Sequence, residues 1–223
     1  MSHFAPITVA PPVWQRALVW LGLPAAGAGL GWLVHLVAGW VASLPSIPFQ
    51  GPFKIVAALP RPYGLIGVLA VGVAAGLVLA FLAHLDELAV TVDAAGVRLA
   101  RGDIVDDFDR GSVAAAFSDK SELVLLRSDG KELAREKHDL KPGRLAGAFG
   151  AFGIRWLDHD PYEETYRRWV DGTPGLSTAA NALLKARAEA LKNGDQDDLR
   201  ELRRELARLN VVVRDRNKKQ FWR

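Results

Sequence analysis

The chain contains no cysteine, and no Asp or Glu occurs before Asp86. The first absence excludes a disulfide-stapled secreted domain and a thiolate-held metal site. The second is a composition break. Before Asp86 the only basic residues are Arg16, Lys54 and Arg61; all 25 acids and the remaining 25 Lys and Arg follow. Of the 223 residues 50% are apolar, yet 24% are charged, and the two kinds barely mix. Such segregation excludes a wholly soluble protein. The net charge of +3 belongs to the N-terminal part. Spread over this length, it steers partners weakly.

Ala17 to Leu44 and Tyr63 to Ala83 are uncharged apolar runs without a polar face. A bilayer core about 30 Å thick needs roughly 20 apolar residues at about 1.5 Å per residue, so both runs predict spanning helices. The first is much longer than a signal-peptide core of about 7–15 residues, and a second run follows, so a hairpin is the better reading. Trp14, Trp20 and Trp40 lie near the ends of the first run, where indole favours the interface. Gly27 and Gly31, and Gly72 and Gly76, have the spacing that lets helix backbones meet, within one chain or in a homo-oligomer. Pro24 predicts a kink unless the helix starts after it. The connection Pro45 to Pro62 is expected to lie along the far membrane surface. His35 falls mid-run, with no acid nearby to relay a proton.

From Glu87 to Asp160 apolar alternation recurs between tight turns: LAVTV, VRLAR, IVDDF, VAAAF, ELVLL and KELAREK. This is a hairpin pattern. After Pro142 the helical segment GRLAGAFGAFGI follows, then RWLDHD. The expectation is a PH-like antiparallel β-barrel with its C-terminal helix plugging the open end. Asp103, Asp106, Asp107 and Asp109 lack calcium-loop spacing and read as a solvated strand edge. Arg135, Lys137, Lys141 and Arg144 are interrupted by Glu136 and Asp139 and read as a mixed surface.

Two membrane helices followed by "GVRL…GDIVDDFDRGSVAAAFSDKSELVLL…DGKEL" resemble the bacterial YqeB-type membrane proteins with a bacterial PH-like domain. The likeness covers roughly residues 1–160.

Tyr162 to Gly175 reads as a short helix and a linker punctuated by Gly172, Pro174 and Gly175. Two capped helices come next, Ser177 to Gly194 and Asp195 to Asn210, each with one leucine-rich stripe. They form an antiparallel pair. The end, VVVRDRNKKQFWR, reads as two short strands around a polar turn. From Leu176 onward 12 Lys or Arg face 7 acids. Arg214, Asp215, Arg216, Lys218, Lys219, Trp222 and Arg223 are therefore the candidate nucleic-acid-binding set: cations offset phosphate charge, and aromatics stack bases. The competing reading has Phe221 and Trp222 covering the helical pair.

"ALLKARAEALKNGDQDDLRELRRELARLNVVVRD…WR" is similar to the C-terminal anticodon-binding domain of bacterial cysteinyl-tRNA synthetases. Arg187, Asp198, Leu199, Arg200, Leu206, Val211, Asp215, Trp222 and Arg223 fall in register with that family's pattern. The resemblance implies a module able to hold RNA, with Asp215 accepting from a base edge. The departures are the turn Arg216–Lys219, where the family carries Pro and Gly, Asn210 in place of Gly, and Phe221 in place of a small residue. No synthetase nucleotide-binding motif is present, so aminoacylation is excluded.

No G-x-S-x-G, H-E-x-x-H, Walker loop or G-x-G-x-x-G occurs in a suitable context. His138–Asp139 and His159–Asp160 lack the further ligands a hydrolase metal site needs. No catalytic residue, metal or cofactor is expected. The expected architecture is a membrane-anchored α+β chain. It comprises a transmembrane hairpin (1–85), a PH-like β domain (86–160), a linker (161–176), and a helical pair with a two-stranded β module (177–223). The expected function is a non-enzymatic adaptor in the inner membrane, multi-pass with cytoplasmic termini, whose PH-like domain and C-terminal module bind cytoplasmic partners, protein or lipid. The alternatives are a membrane-tethered RNA-binding protein and an oligomeric pore or transporter subunit.

Overall fold

The computed structural model describes residues 5–43, 58, 60 and 62–223. The expectation for the connection Pro45 to Pro62 falls largely outside these residues. The chain divides into two compact units. One holds Val9–Val90 and Leu99–Asp106; the other holds Thr91–Arg98 and Asp107–Arg223 with the N-terminal residues up to Thr8.

The first unit is built on α1 (Val13–Ser43) and α2 (Tyr63–Leu85). Both are long and apolar enough to cross a bilayer by length and composition. α1 begins before Pro24 and continues through it. The two glycine pairs face each other within the chain. A Cβ on Gly27 would overlap the Gly72 carbonyl, one on Gly31 the Val68 carbonyl, and one on Gly76 the Leu23 carbonyl. Small residues thus bring two backbones into contact, as the spacing predicts. The lateral surfaces remain apolar and exposed: Leu21, Leu30, Leu36, Val71 and Leu79 all show more than half of their area. At the helix ends Arg16 Nε lies 2.8 Å from Glu87 Oε2, and His84 Nδ1 lies 3.4 Å from the same oxygen. The His84 ring meets Trp20 edge-on at 6.3 Å.

β1 (Ile7–Val9), β2 (Leu88–Val92), β3 (Gly96–Arg101) and β4 (Ile104–Asp109) form a four-stranded sheet in that order. β1 lies before the first apolar run and has no counterpart among the expected strands. Asp93 Oδ1 accepts from the amides of Ala95 and Gly96 and so closes the β2–β3 turn.

The second sheet contains β5 (Ala115–Asp119), β6 (Glu122–Leu126), β7 (Glu132–Lys137) and β8 (Arg155–Leu157), in the order β7-β6-β5-β8. The expected closed barrel does not form. β8 takes the free edge of β5 in parallel, Ala116 opposite Trp156, and that edge is lost to β4. Sequence order favours hairpins; only the return of the chain after a helix allows a parallel partner. That helix, α3 (Pro142–Ala151), packs on β5 and β8 through Leu145, Ala148 and Phe149. Phe117, Val124 and Leu126 form a core on the same sheet, covered by Leu157 and Tyr162.

The C-terminal segment folds as α4 (Thr178–Asn193), α5 (Gln196–Arg208), β10 (Val213–Arg216) and β11 (Lys219–Trp222). Ser177 caps α4 by accepting from the Ala180 amide, and Asp195 caps α5 through the amides of Asp197 and Asp198. Gly194 ends α4 in the left-handed conformation. Asn217 and Lys218 both have positive φ (53° and 57°), as a two-residue hairpin turn requires. The expected two-stranded ribbon has a third strand, β9 (Arg167–Arg168), which pairs with β11. The segment expected as a short helix is instead a 3₁₀ turn, Glu163–Thr165, followed by β9. Leu184, Leu206, Val211 and Val213 form the core of this module, with Trp169 and Trp222 against it.

Candidate nucleic-acid interface

The hairpin β10–β11 positions the whole candidate set, and strand alternation divides it. Trp222 lies opposite Val213, on the side that packs against the helices. Its Nε1 is buried without a hydrogen-bond partner among the described residues. Asp215 also turns inward. Its carboxylate takes two bonds from Arg187, at 2.6 and 2.7 Å. The Arg187 side chain is wholly buried, and its Nη1 also donates to Gln220 Oε1 at 2.9 Å. Gln220 in turn donates to the Leu184 carbonyl. The bidentate fork matches a carboxylate and fixes the hairpin on the helix α4.

Arg214 faces the other way. Its Nε and Nη2 each lie 2.8 Å from the Asp119 carboxylate. Asp160 and Glu163 stand further off at 3.9 and 3.7 Å. Arg223 places its guanidinium 4.1 Å over the Tyr162 ring and donates to the Gly130 carbonyl. The remaining three residues stay outside. Lys218 and Lys219 are exposed at the turn, and Arg216 is half exposed with Glu163 at 3.8 Å. Of the seven candidates, the fold therefore gathers Arg216, Lys218 and Lys219 at one open tip and holds the other four in contacts within the chain. Arg167 and Arg168, opposite Trp222 and Phe221, are exposed at the edge of the same sheet.

A polar junction that the sequence reading missed lies behind Arg214. Arg135 on β7 has no exposed side-chain surface and binds three carboxylates: Glu132 at 2.7 Å, Asp119 at 2.9 Å and Glu122 at 2.9 Å. Burial pulls its pKa down, and the nearby charges of Glu132 and Glu122 more than reverse that, so the guanidinium stays charged. Arg203 of α5 donates to the Arg135 carbonyl. Burial first, and then the Arg187 charge, lowers the pKa of Arg203. Tyr166 donates to Glu132 at 3.1 Å, and burial pushes its phenol up to about 12. Burial also raises the Asp160 carboxyl, against the Tyr162 amide and Arg135, which pull it down. Lys131 reaches Asn210, and Lys137 reaches Gln196. Cations of the C-terminal module thus meet carboxylates of the second sheet in one compact unit. The only sequence signal was an arginine at an alternating strand position in KELAREK; its distant partners carried none.

The histidine patches lead elsewhere. His138 Nδ1 accepts from the Leu140 amide, so Nε2 carries the proton. Nε2 therefore donates to Ser118 Oγ, 3.1 Å away, and cannot take a proton from it. Asp160 is part of the polar junction. Among the described residues no group of three metal-ligating side chains converges. Arg135, expected on a mixed surface with Lys137, Lys141 and Arg144, is buried.

These features define a class: a pair of long apolar helices together with an α+β unit in which charged side chains bind one another. The chain belongs to the family of YqeB-like bacterial PH domains, whose model matches residues 7–157. A model of the cysteinyl-tRNA ligase anticodon binding domain matches residues 173–223. The uncharacterized protein YqeB of Bacillus subtilis (strain 168) is 35% identical over 206 residues, which cover 92% of this chain and 86% of that protein. No solved structure matches the chain.

Proposed function

We propose that the protein is a non-enzymatic integral membrane adaptor, held by α1 and α2 in the inner membrane with both termini in the cytoplasm. The observation that carries this reading is the inverted character of the helix pair. Glycine backbones fill the contact, while large apolar side chains such as Leu30 (63%) and Val71 (70%) face outward. Water would penalise such a surface at about 25 cal/mol per Å², and lipid would not. The PH-like strands and the anticodon-domain-like module, bound together by the polar junction, then present one cytoplasmic surface to a protein partner. Carbonate washing of membranes tests the anchoring: the intact chain should stay in the pellet, and release into the supernatant would refute it.

A second reading, RNA binding, is favoured by one observation: the open tip Arg216, Lys218 and Lys219 lies on the module that is similar to an anticodon-binding domain. Titration with bulk tRNA at two salt concentrations tests it. Binding should weaken with salt, and Lys218→Ala and Lys219→Ala should each flatten that dependence. No binding at low salt removes the reading. The oligomeric pore draws no support from the glycine pairs, which are used within the chain.

A further inference from the structure

The unit that holds the helices contains a second exposed apolar element. The turn between β3 and β4 has Gly102 at φ 53°, and a Cβ there would lie 3.3 Å from the Leu85 carbonyl oxygen, at the last residue of α2. The neighbouring Arg101 guanidinium donates to the Asp86 carbonyl. The turn is therefore fastened to the end of α2. Directly after it, Ile104 and Val105 are 45% and 51% exposed. Successive strand residues point to opposite faces, so both faces of the sheet are partly open at this tip among the described residues. Lone exposed apolar residues are ordinary on protein surfaces. This pair is adjacent and tied by backbone contact to a helix whose Leu82 and Leu85 are exposed as well. Arg16, Glu87, His84 and Trp20 collect at the same helix ends. Charged groups and indoles of this kind mark the level of lipid headgroups.

We propose that the β3–β4 turn inserts Ile104 and Val105 into the headgroup and upper acyl layer beside α2, a third lipid contact in addition to the two helices. The proposal rests on the reading that α1 and α2 span the bilayer. The partner is the lipid surface itself. Asp103 and Asp106 flank the pair and Arg101 stands across the turn, so charges of both signs border it, as they do in a headgroup layer.

The absence of native cysteine makes the test direct. Full-length chains with Ile104→Cys or Val105→Cys carry a nitroxide label in phosphatidylethanolamine–phosphatidylglycerol nanodiscs. Leu30→Cys on α1 and Val170→Cys on the second unit serve as references, since both positions are exposed. Collision with oxygen, which concentrates in lipid, is compared with collision with a water-soluble nickel chelate. Labels at 104 and 105 should show an oxygen-to-nickel ratio severalfold above position 170. If they match position 170 while position 30 reads as lipid, the proposal fails and the spanning reading stands. If position 30 also reads as aqueous, both fail. Labels at 104 and 105 shielded from both reagents would mean a protein cover, and would also overturn the proposal.

Discussion

Arg187, one of the residues in register with the anticodon-domain pattern, serves the fold. Its fork binds Asp215 and Gln220 in the interior, so each partner depends on it. Arg187→Met leaves the Asp215 carboxylate with only Arg203, 4.0 Å away, and the Gln220 Oε1 without its donor, and should destabilise the chain by about 3–5 kcal/mol. Denaturant unfolding in detergent, followed through tryptophan fluorescence, measures it; a second change, Asp215→Leu, should recover part of the loss. Tyr166 gives a pH dependence. The folded phenol keeps its proton up to about 12, whereas the unfolded one releases it near 10.0. The folded state therefore binds more protons in that window, and stability falls as pH rises through it, on the order of 1–2 kcal/mol. In Tyr166→Phe the alkaline slope should be shallower. Asp160 behaves in the same sense at acid pH. Its folded pKa is raised, so its contribution falls as pH rises above the ordinary carboxyl value.

Among the elements, the helix pair separates glycines that matter from those that do not. Gly27 faces the Gly72 backbone, while a Cβ on Gly29, two residues along, would meet nothing within 4 Å among the described residues. Gly27→Val should lower the stability of the pair by about 1–3 kcal/mol by forcing the backbones apart. Gly29→Val should leave the thermal midpoint in detergent nearly unchanged, and equal effects would count against the packing described. The GxxxG spacing was legible before the structure; its use within the chain rather than between chains was not, because spacing marks a face without naming its partner. The same limit explains the second sheet. The strands β5, β6 and β7 were readable from alternation and turn residues, but β8 is three residues long and pairs in parallel after an intervening helix. No local pattern encodes such a partner.

Across the whole molecule, the C-terminal module is bonded to the strand region through charge. Arg214 is the main bridge, and Asp119 also retains Arg135 if that bridge is lost. Arg214→Ala should therefore loosen the module without unfolding it, at about 1–3 kcal/mol. Trypsin should cut faster after the exposed Arg167 and Arg168, and the amides of β10 and β11 should exchange faster. Unchanged cleavage would show that the junction contributes little. Four of the seven candidate nucleic-acid residues, Arg214, Asp215, Trp222 and Arg223, are engaged within the chain. Composition could supply their charge and aromaticity but not their direction. Whether an arginine meets Asp119, 95 positions away, or a solvent phosphate depends on how distant strands come together.

By itself the amino-acid order determined where oil ends and charge begins, where the long helices lie, and which turns close the hairpins. These follow from interactions over a few neighbouring residues: apolar periodicity, caps such as Ser177 and Asp195, and left-handed turn positions such as Gly194. Tertiary structure alone decided that the glycine stripes meet each other, that β8 closes the edge of β5, and that Arg135 and Arg214 are consumed by carboxylates. Each of these depends on groups far apart in the chain, whose approach is set by the packing of all the elements at once.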